Sequence, residues 1–143
     1  MRDVVLENLS EEECLALLRR VQYGRVAVVT QDGHPEIFPV NFAVSARSLV
    51  FRTSSQTILA RAPLGHIAFE ADQVDPVSRE GWDVVVSGEG ADVTDSVDQD
   101  SVDLRGEPVE PWAPGPKDRW ISIVNPKYHG RRLYVPAGSP LYY

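Results

Sequence analysis

With 143 residues, 14 Lys and Arg against 21 Asp and Glu, and a formal charge of −7, the chain is sized for one domain that buries roughly two-thirds of its unfolded surface. The acidic balance argues against nucleic-acid binding, which rests on neutralising phosphates with Lys and Arg; the lysines are only Lys117 and Lys127, and the single cysteine, Cys14, leaves no internal disulfide and no multi-cysteine zinc site. No apolar run approaches the ~18 residues of a membrane span, and Met1 to Glu7 offers too few apolar positions for a signal peptide, so a single cytoplasmic domain over 1–143 is expected.

The first local signal is a helix start. Ser10-Glu11-Glu12-Glu13 fits a capping box, with Leu9 and Cys14 placed as a hydrophobic staple. Cys14, Leu17, Leu18 and Val21 recur at the spacing of one helical face, and Arg19 and Arg20 fall where the helix dipole favours cations. The pattern predicts a helix over 11–21 that ends near Tyr23-Gly24.

The period then changes to two. Arg25 to Thr30 reads as a strand, and Gln31-Asp32-Gly33-His34 as a hairpin turn, since Asp-Gly accepts positive φ. The run 35–44 carries Pro35 and Pro39, which mark a strand edge or an interrupted ladder. Leu49 to Thr53 is a third strand. Ser54 to Thr57 opens a short helix over 58–62, closed by Pro63 and Gly65.

His66 to Asp72 alternates, with Ile67, Phe69 and Ala71 on one face and His66, Glu70 and Asp72 on the other. Trp82 to Val93 is a long strand in which Gly88 and Gly90 suggest a bend or bulge. Residues 94–119 are acidic up to Glu107 and then proline-rich, a loop with a short helix near Val97–Leu104. Trp120–Val124 and Arg131–Val135 read as two last strands around Asn125-Pro126 and Gly130. The expected fold is mainly β: a six-stranded antiparallel split β-barrel with two or three short helices.

Conventional catalytic motifs are absent: there is no phosphate-binding glycine loop, no His-Glu-x-x-His and no nucleophile elbow. His34 reads as a solvated turn residue. His66 and His129 lack partners at metal spacing, and Cys14 on an apolar face reads as a buried inert thiol. Glu70 and Asp72 read either as an acid–base pair or as the solvated side of a strand.

Phe51 to Thr57 is different. A strand delivers Arg52, and four hydroxyl residues follow within five positions at a helix start. Arginine matches phosphate bidentately, and hydroxyls with free amides complete an anion site. The same residues also read as a capped helix beside a surface arginine. Pro39-Val40-Asn41-Phe42 adds a strand whose prolines leave backbone groups available to the polar edge of a flat heterocycle.

The order Gly24-Arg25-Val26-Ala27-Val28-Val29, Asp32-Gly33, Pro39-Val40-Asn41-Phe42, Phe51-Arg52-Thr53, Ala68 to Asp72, and Gly81-Trp82 with Val84-Val85-Val86 and Gly88 resembles the pyridoxamine 5′-phosphate oxidase-like, flavin-nucleotide-binding split-barrel family. Pro111 to Gly115, Arg119-Trp120-Ile121 and Gly130 to Leu133 extend the likeness over roughly 10–135. The resemblance implies homodimers with two FMN sites at the subunit interface. Pro39, Val40, Asn41 and Phe42 would line the isoalloxazine. Arg52, Thr53 and Ser54 would approach the ring edge and phosphate, and Ser55, Thr57 and Ile58 would lie at the phosphate end. Trp82, Arg131 and Arg132 would complete the site, from the partner subunit in one arrangement.

Relatives commonly carry Gly-(Ser/Thr)-Lys where this chain has Gln56-Thr57-Ile58. The departure leaves weak FMN binding, an apo protein or the deazaflavin F420 as alternatives. The functional expectation is an FMN-dependent oxidoreductase acting on a small-molecule redox substrate, with no nucleic-acid or membrane partner and no catalytic side chain. The alternatives are a non-catalytic flavin-binding or scaffold dimer, and an F420-binding reductase.

Overall fold

The computed structural model describes residues 3–56 and 64–138. In chain order the elements are β1 (Val5–Leu9), α1 (Glu11–Leu18), β2 (Tyr23–Val29), β3 (Pro35–Ser45), β4 (Ser48–Thr53), β5 (His66–Val74), β6 (Gly81–Asp92), α2 (Gln99–Arg105) and β7 (Arg119–Tyr134). Among the described residues the strands form one antiparallel sheet in the order β1-β7-β4-β3-β2-β5-β6, and a further β6–β7 pairing closes it. The result is the six-stranded barrel the sequence predicts, with β1 as an added strand. The helix expected over 58–62 lies outside the described residues.

Strand β7 makes both closure and addition possible. One of its edges runs along β6 from Leu133 to Ile121. Its other edge is divided: Arg119 to Ser122 pair with β4, and Gly130 to Tyr134 pair with β1. The sequence reading broke this strand in two at Asn125-Pro126 and Gly130, and the structure corrects it. A register shift between Ser87 and Glu89 absorbs an extra β7 residue, with Asn125 at a positive φ of 49°, so Pro126 sits in a bulge and costs no ladder bond. Gly88 faces that bulge. A Cβ there would lie 2.6 Å from both Ile123 Cγ2 and Val124 O, so only glycine lets the strands approach this closely.

The Ser10–Glu13 capping box forms as read, each side chain meeting the other residue's main-chain amide. Helix α1 nevertheless stops at Leu18 rather than Val21, and Arg19 becomes its cap instead of a last-turn cation. Its guanidinium donates to Ala46 O at 2.8 Å, so a tertiary contact takes over where the helix was expected to continue. Strand β1 had no sequence forecast, because its partner is the far end of the chain.

The core is the barrel interior. Val26, Phe51, Phe69, Val84, Val86 and Ile121 are almost fully buried, each contributing roughly 1.5–3 kcal/mol of burial for the larger side chains. The Phe42 and Phe69 rings tilt against each other at 4.6 Å. A second apolar cluster joins Val50 on β4 to Val93, Leu104 and Val109. It docks α2 on the outside of the barrel and fixes the root of the proline-rich segment that follows. Asp98 caps α2, accepting from Ser101 N at 2.9 Å. No helix among the described residues is long and apolar enough to cross a membrane.

Candidate functional site

The two runs singled out in the sequence meet in space. β3 and β4 pair only from Phe42↔Phe51 to Ser45↔Ser48. Beyond that point β3 stays with β2 through Asn41 to Pro35, while Arg52 and Thr53 pair with Trp120 and Arg119 of β7. The strands diverge, and Pro39 has no N–H with which to reach across the gap. A cavity of about 270 Å³ opens there, lined by Phe38, Pro39, Val40, Asn41, Arg52, Thr53 and Gln56 from the barrel and by Pro111, Ala113 and Lys117 from the later segment.

That segment, residues 107–118, is a strap across the opening. Trp112 N donates to Asn41 Oδ1 at 2.8 Å, and the Trp112 ring lies 5.3 Å from that of Tyr23. Arg52 donates to Lys117 O through Nη2 at 2.9 Å and Nε at 3.2 Å, with a longer approach from Nη1 to Val109 O at 3.4 Å. Its guanidinium also lies 4.9 Å from the Trp120 ring centroid. Asp118 accepts from Ser55 N at 3.2 Å and from Ser55 Oγ at 3.3 Å. Those bonds, the backbone one first, hold the Asp118 carboxyl below the usual carboxylate range.

The predicted site residues therefore divide. Pro39, Val40, Asn41, Arg52 and Thr53 line the cavity. Phe42 instead faces the core. Ser54 is buried and its hydroxyl accepts from Gln56 N at 3.2 Å, while Ser55 is exposed and bound to Asp118. Thr57 and Ile58 lie outside the described residues. Trp82, Arg131 and Arg132 are elsewhere: Trp82 pairs with Arg132 at the other end of β7, twelve positions or roughly 40 Å of strand from Trp120. There Arg131 donates to Asp83 at 2.7 Å, and Arg132 lies over the Tyr134 ring. Gln56, inside the run 55–58 expected at the phosphate end, lines the cavity too, whereas Phe38, Pro111, Ala113 and Lys117 were not foreseen as wall residues.

Other features are less suited to an anionic ligand. A larger crevice of about 660 Å³ beside α2 is lined by Glu11, Asp98, Asp100 and Asp103, and its Arg47 is already paired with Glu11 and Glu12. On the outer face, Arg25 Nη1 lies 3.1 Å from Glu70 and 3.8 Å from Asp72. Desolvation, then the neighbouring Asp72, pushes the Glu70 carboxyl up to about 7. Cys14 is buried, and desolvation raises its thiol. Among the described residues no cluster of three or more His, Cys, Asp or Glu could hold a metal.

The donor set of the cavity suits a flat anionic ligand better than a neutral one. Its described residues give a strand edge at Pro39–Asn41 not paired with β4, apolar walls from Phe38, Val40 and Pro111, and the basic residues Arg52 and Lys117. With the strap in place its volume, about 270 Å³, falls just below the ~300–1,000 Å³ of small-molecule sites.

Comparison with known proteins gives the same frame. The family model described as pyridoxamine 5′-phosphate oxidase matches residues 10–132. The uncharacterized protein Rv0080 of Mycobacterium tuberculosis is 32% identical over 145 residues, covering 97% of this chain and 91% of the relative. The solved structure of an FAD binding protein from Mycobacterium smegmatis superimposes with a TM-score of 0.71 at 30% identity, over 88% of this chain and 98% of that one. A conserved protein of unknown function from Corynebacterium diphtheriae gives 0.70 at 28% identity, over 90% and 98%.

Proposed function

The chain belongs to the pyridoxamine 5′-phosphate oxidase family, and on that premise we propose that it binds a flavin nucleotide, FMN in the first instance, in the β3–β4 cavity as a flavin-dependent oxidoreductase. A bound flavin supplies the redox chemistry through its ring. The protein's part is to hold and orient. The Pro39–Asn41 edge offers main-chain groups to the ring's polar rim, Phe38 and Val40 give it an apolar bed, and Arg52 faces the anionic tail. The observation that carries this reading is the meeting of that unzipped strand edge with Arg52 in one cavity. Named FAD binding of a relative at 30% identity supports it.

The active unit in this proposal is a homodimer, with a small molecule as redox substrate. Tyr23, Val29, Ile37 and Val74 leave apolar surface on the outer barrel face, and a second copy would cover it. A partner subunit is also the means by which Trp82, Arg131 and Arg132 could reach the cavity of the other protomer. Sedimentation showing a monomer at micromolar concentration would count against this assembly.

One observation favours a second reading, a non-catalytic flavin-binding or scaffold dimer. Asn41, Arg52 and Ser55 each already bond to the strap. The visible spectrum of the purified protein, alone and after addition of FMN, FAD or F420, decides between them. An oxidised flavin band that NAD(P)H bleaches supports the oxidoreductase. A flavin band that no reductant and substrate pair turns over supports storage or sensing. A colourless protein that takes up none of the three refutes flavin binding.

A further inference from the structure

Building on the flavin-nucleotide reading, we propose that the strap supplies the cavity's second anion-binding group: the Lys117 ammonium joins the Arg52 guanidinium on the phosphate of the bound nucleotide. Lys117 is one of two lysines in a chain of charge −7, and it is half-buried in the wall of the same cavity as Arg52. Among the described residues its Nζ makes one hydrogen bond, to Pro114 O at 3.3 Å, although an ammonium has three donors to place. Its chain neighbour Asp118 does not neutralise it, being turned onto Ser55. Arg52 spends its two shorter bonds on one neutral carbonyl, Lys117 O. Among the described residues, two basic residues and no carboxylate thus line one small cavity. Like charges lining one cavity repel, and a phosphate between them removes that cost.

Residues 53–56 are Thr, Ser, Ser and Gln, so the end of β4 adds hydroxyls and an amide but no further charge. Lys117 therefore ties ligand binding to strap closure: a nucleotide that engages it also pins the strap.

Titration of FMN and of riboflavin into the purified protein, followed by quenching of flavin fluorescence, tests this directly. Wild-type protein should bind FMN more tightly than riboflavin. Lys117→Gln should weaken FMN by about 10- to 100-fold, the value of one charge-assisted hydrogen bond, and leave riboflavin within about twofold. Lys117→Arg should restore most of the FMN preference. Equal losses for both flavins in Lys117→Gln, or no loss for either, overturns the assignment while leaving flavin binding intact. A wild-type protein that binds neither flavin overturns the underlying reading as well, and circular dichroism of the variants keeps misfolding apart from both outcomes.

Discussion

Arg52→Ala separates a latch from a ligand group. In the structure the guanidinium places two donors on Lys117 O, at 2.9 and 3.2 Å. The 3.4 Å approach to Val109 O lies beyond the usual range for N–H···O and adds little. Two donors on one carbonyl make one charge-assisted interaction, about 1.5–3 kcal/mol, and the 4.9 Å stacking on Trp120 adds about 0.5–1 kcal/mol. Arg52 is only half-buried, so the lower part of the sum applies, about 2–3 kcal/mol. It acts on opening of the strap rather than on the barrel, whose core does not include Arg52. Amide hydrogen exchange should therefore speed up by roughly 30- to 150-fold in segment 107–118, with the Trp112 N–H as its clearest reporter. Core amides such as those of Val84 and Ile121 should change far less. Unchanged exchange in the strap, or equal acceleration in strap and core, would refute the latch.

Three further substitutions test other parts of the framework. The Glu70 carboxyl, raised from 4.5 to about 7 by desolvation and Asp72, takes up a proton more readily folded than unfolded; this group favours the fold at low pH and loses that contribution as pH rises between those values. Glu70→Gln should thus gain stability relative to wild type between about pH 5 and pH 8 in urea titrations, and a difference that stays constant with pH would dismiss the shift. Gly130→Ala places a Cβ 2.4 Å from Cys14 Sγ and 3.1 Å from Leu9 Cβ, an overpacking worth about 1–3 kcal/mol. Adding Cys14→Ala removes the nearest clashing atom and should recover part of that loss, whereas simple additivity in urea denaturation would show that the helix was never in the way.

The elements legible in the sequence are those whose cause is local. The capping box needs only Ser10 and Glu13. The Asp32-Gly33 turn needs a residue at positive φ, and Gly33 takes 84°. The face of β5 needs only the alternation of Ile67, Phe69 and Ala71, all buried as read. The failures have distant causes. Val5–Leu9 becomes a strand because β4 leaves β7 an open edge, and Gly130, which looks like a break, is the point where Cys14 comes close. For the site, Pro39 and Arg52 carried a signal because a missing donor and a strand-borne guanidinium are chemical facts in themselves. The strap carried almost none: a proline-rich run does not say which surface it covers.

The cavity and its chemistry have separate origins in this fold. The opening exists because β4 changes partners, from β3 at Phe51 to β7 alone at Arg52 and Thr53, while Pro39 leaves its edge of β3 unzipped. Those facts belong to barrel register and would survive any change in segment 107–118. The cover belongs to the second apolar cluster, which anchors Val109 beside Val50, Val93 and Leu104 and so sets where Pro111, Ala113 and Lys117 fall. A relative with the same register and a different strap would keep the gap and lose the ammonium. Ligand choice can therefore diverge through the strap at little cost to the barrel, because no strand pairing passes through it.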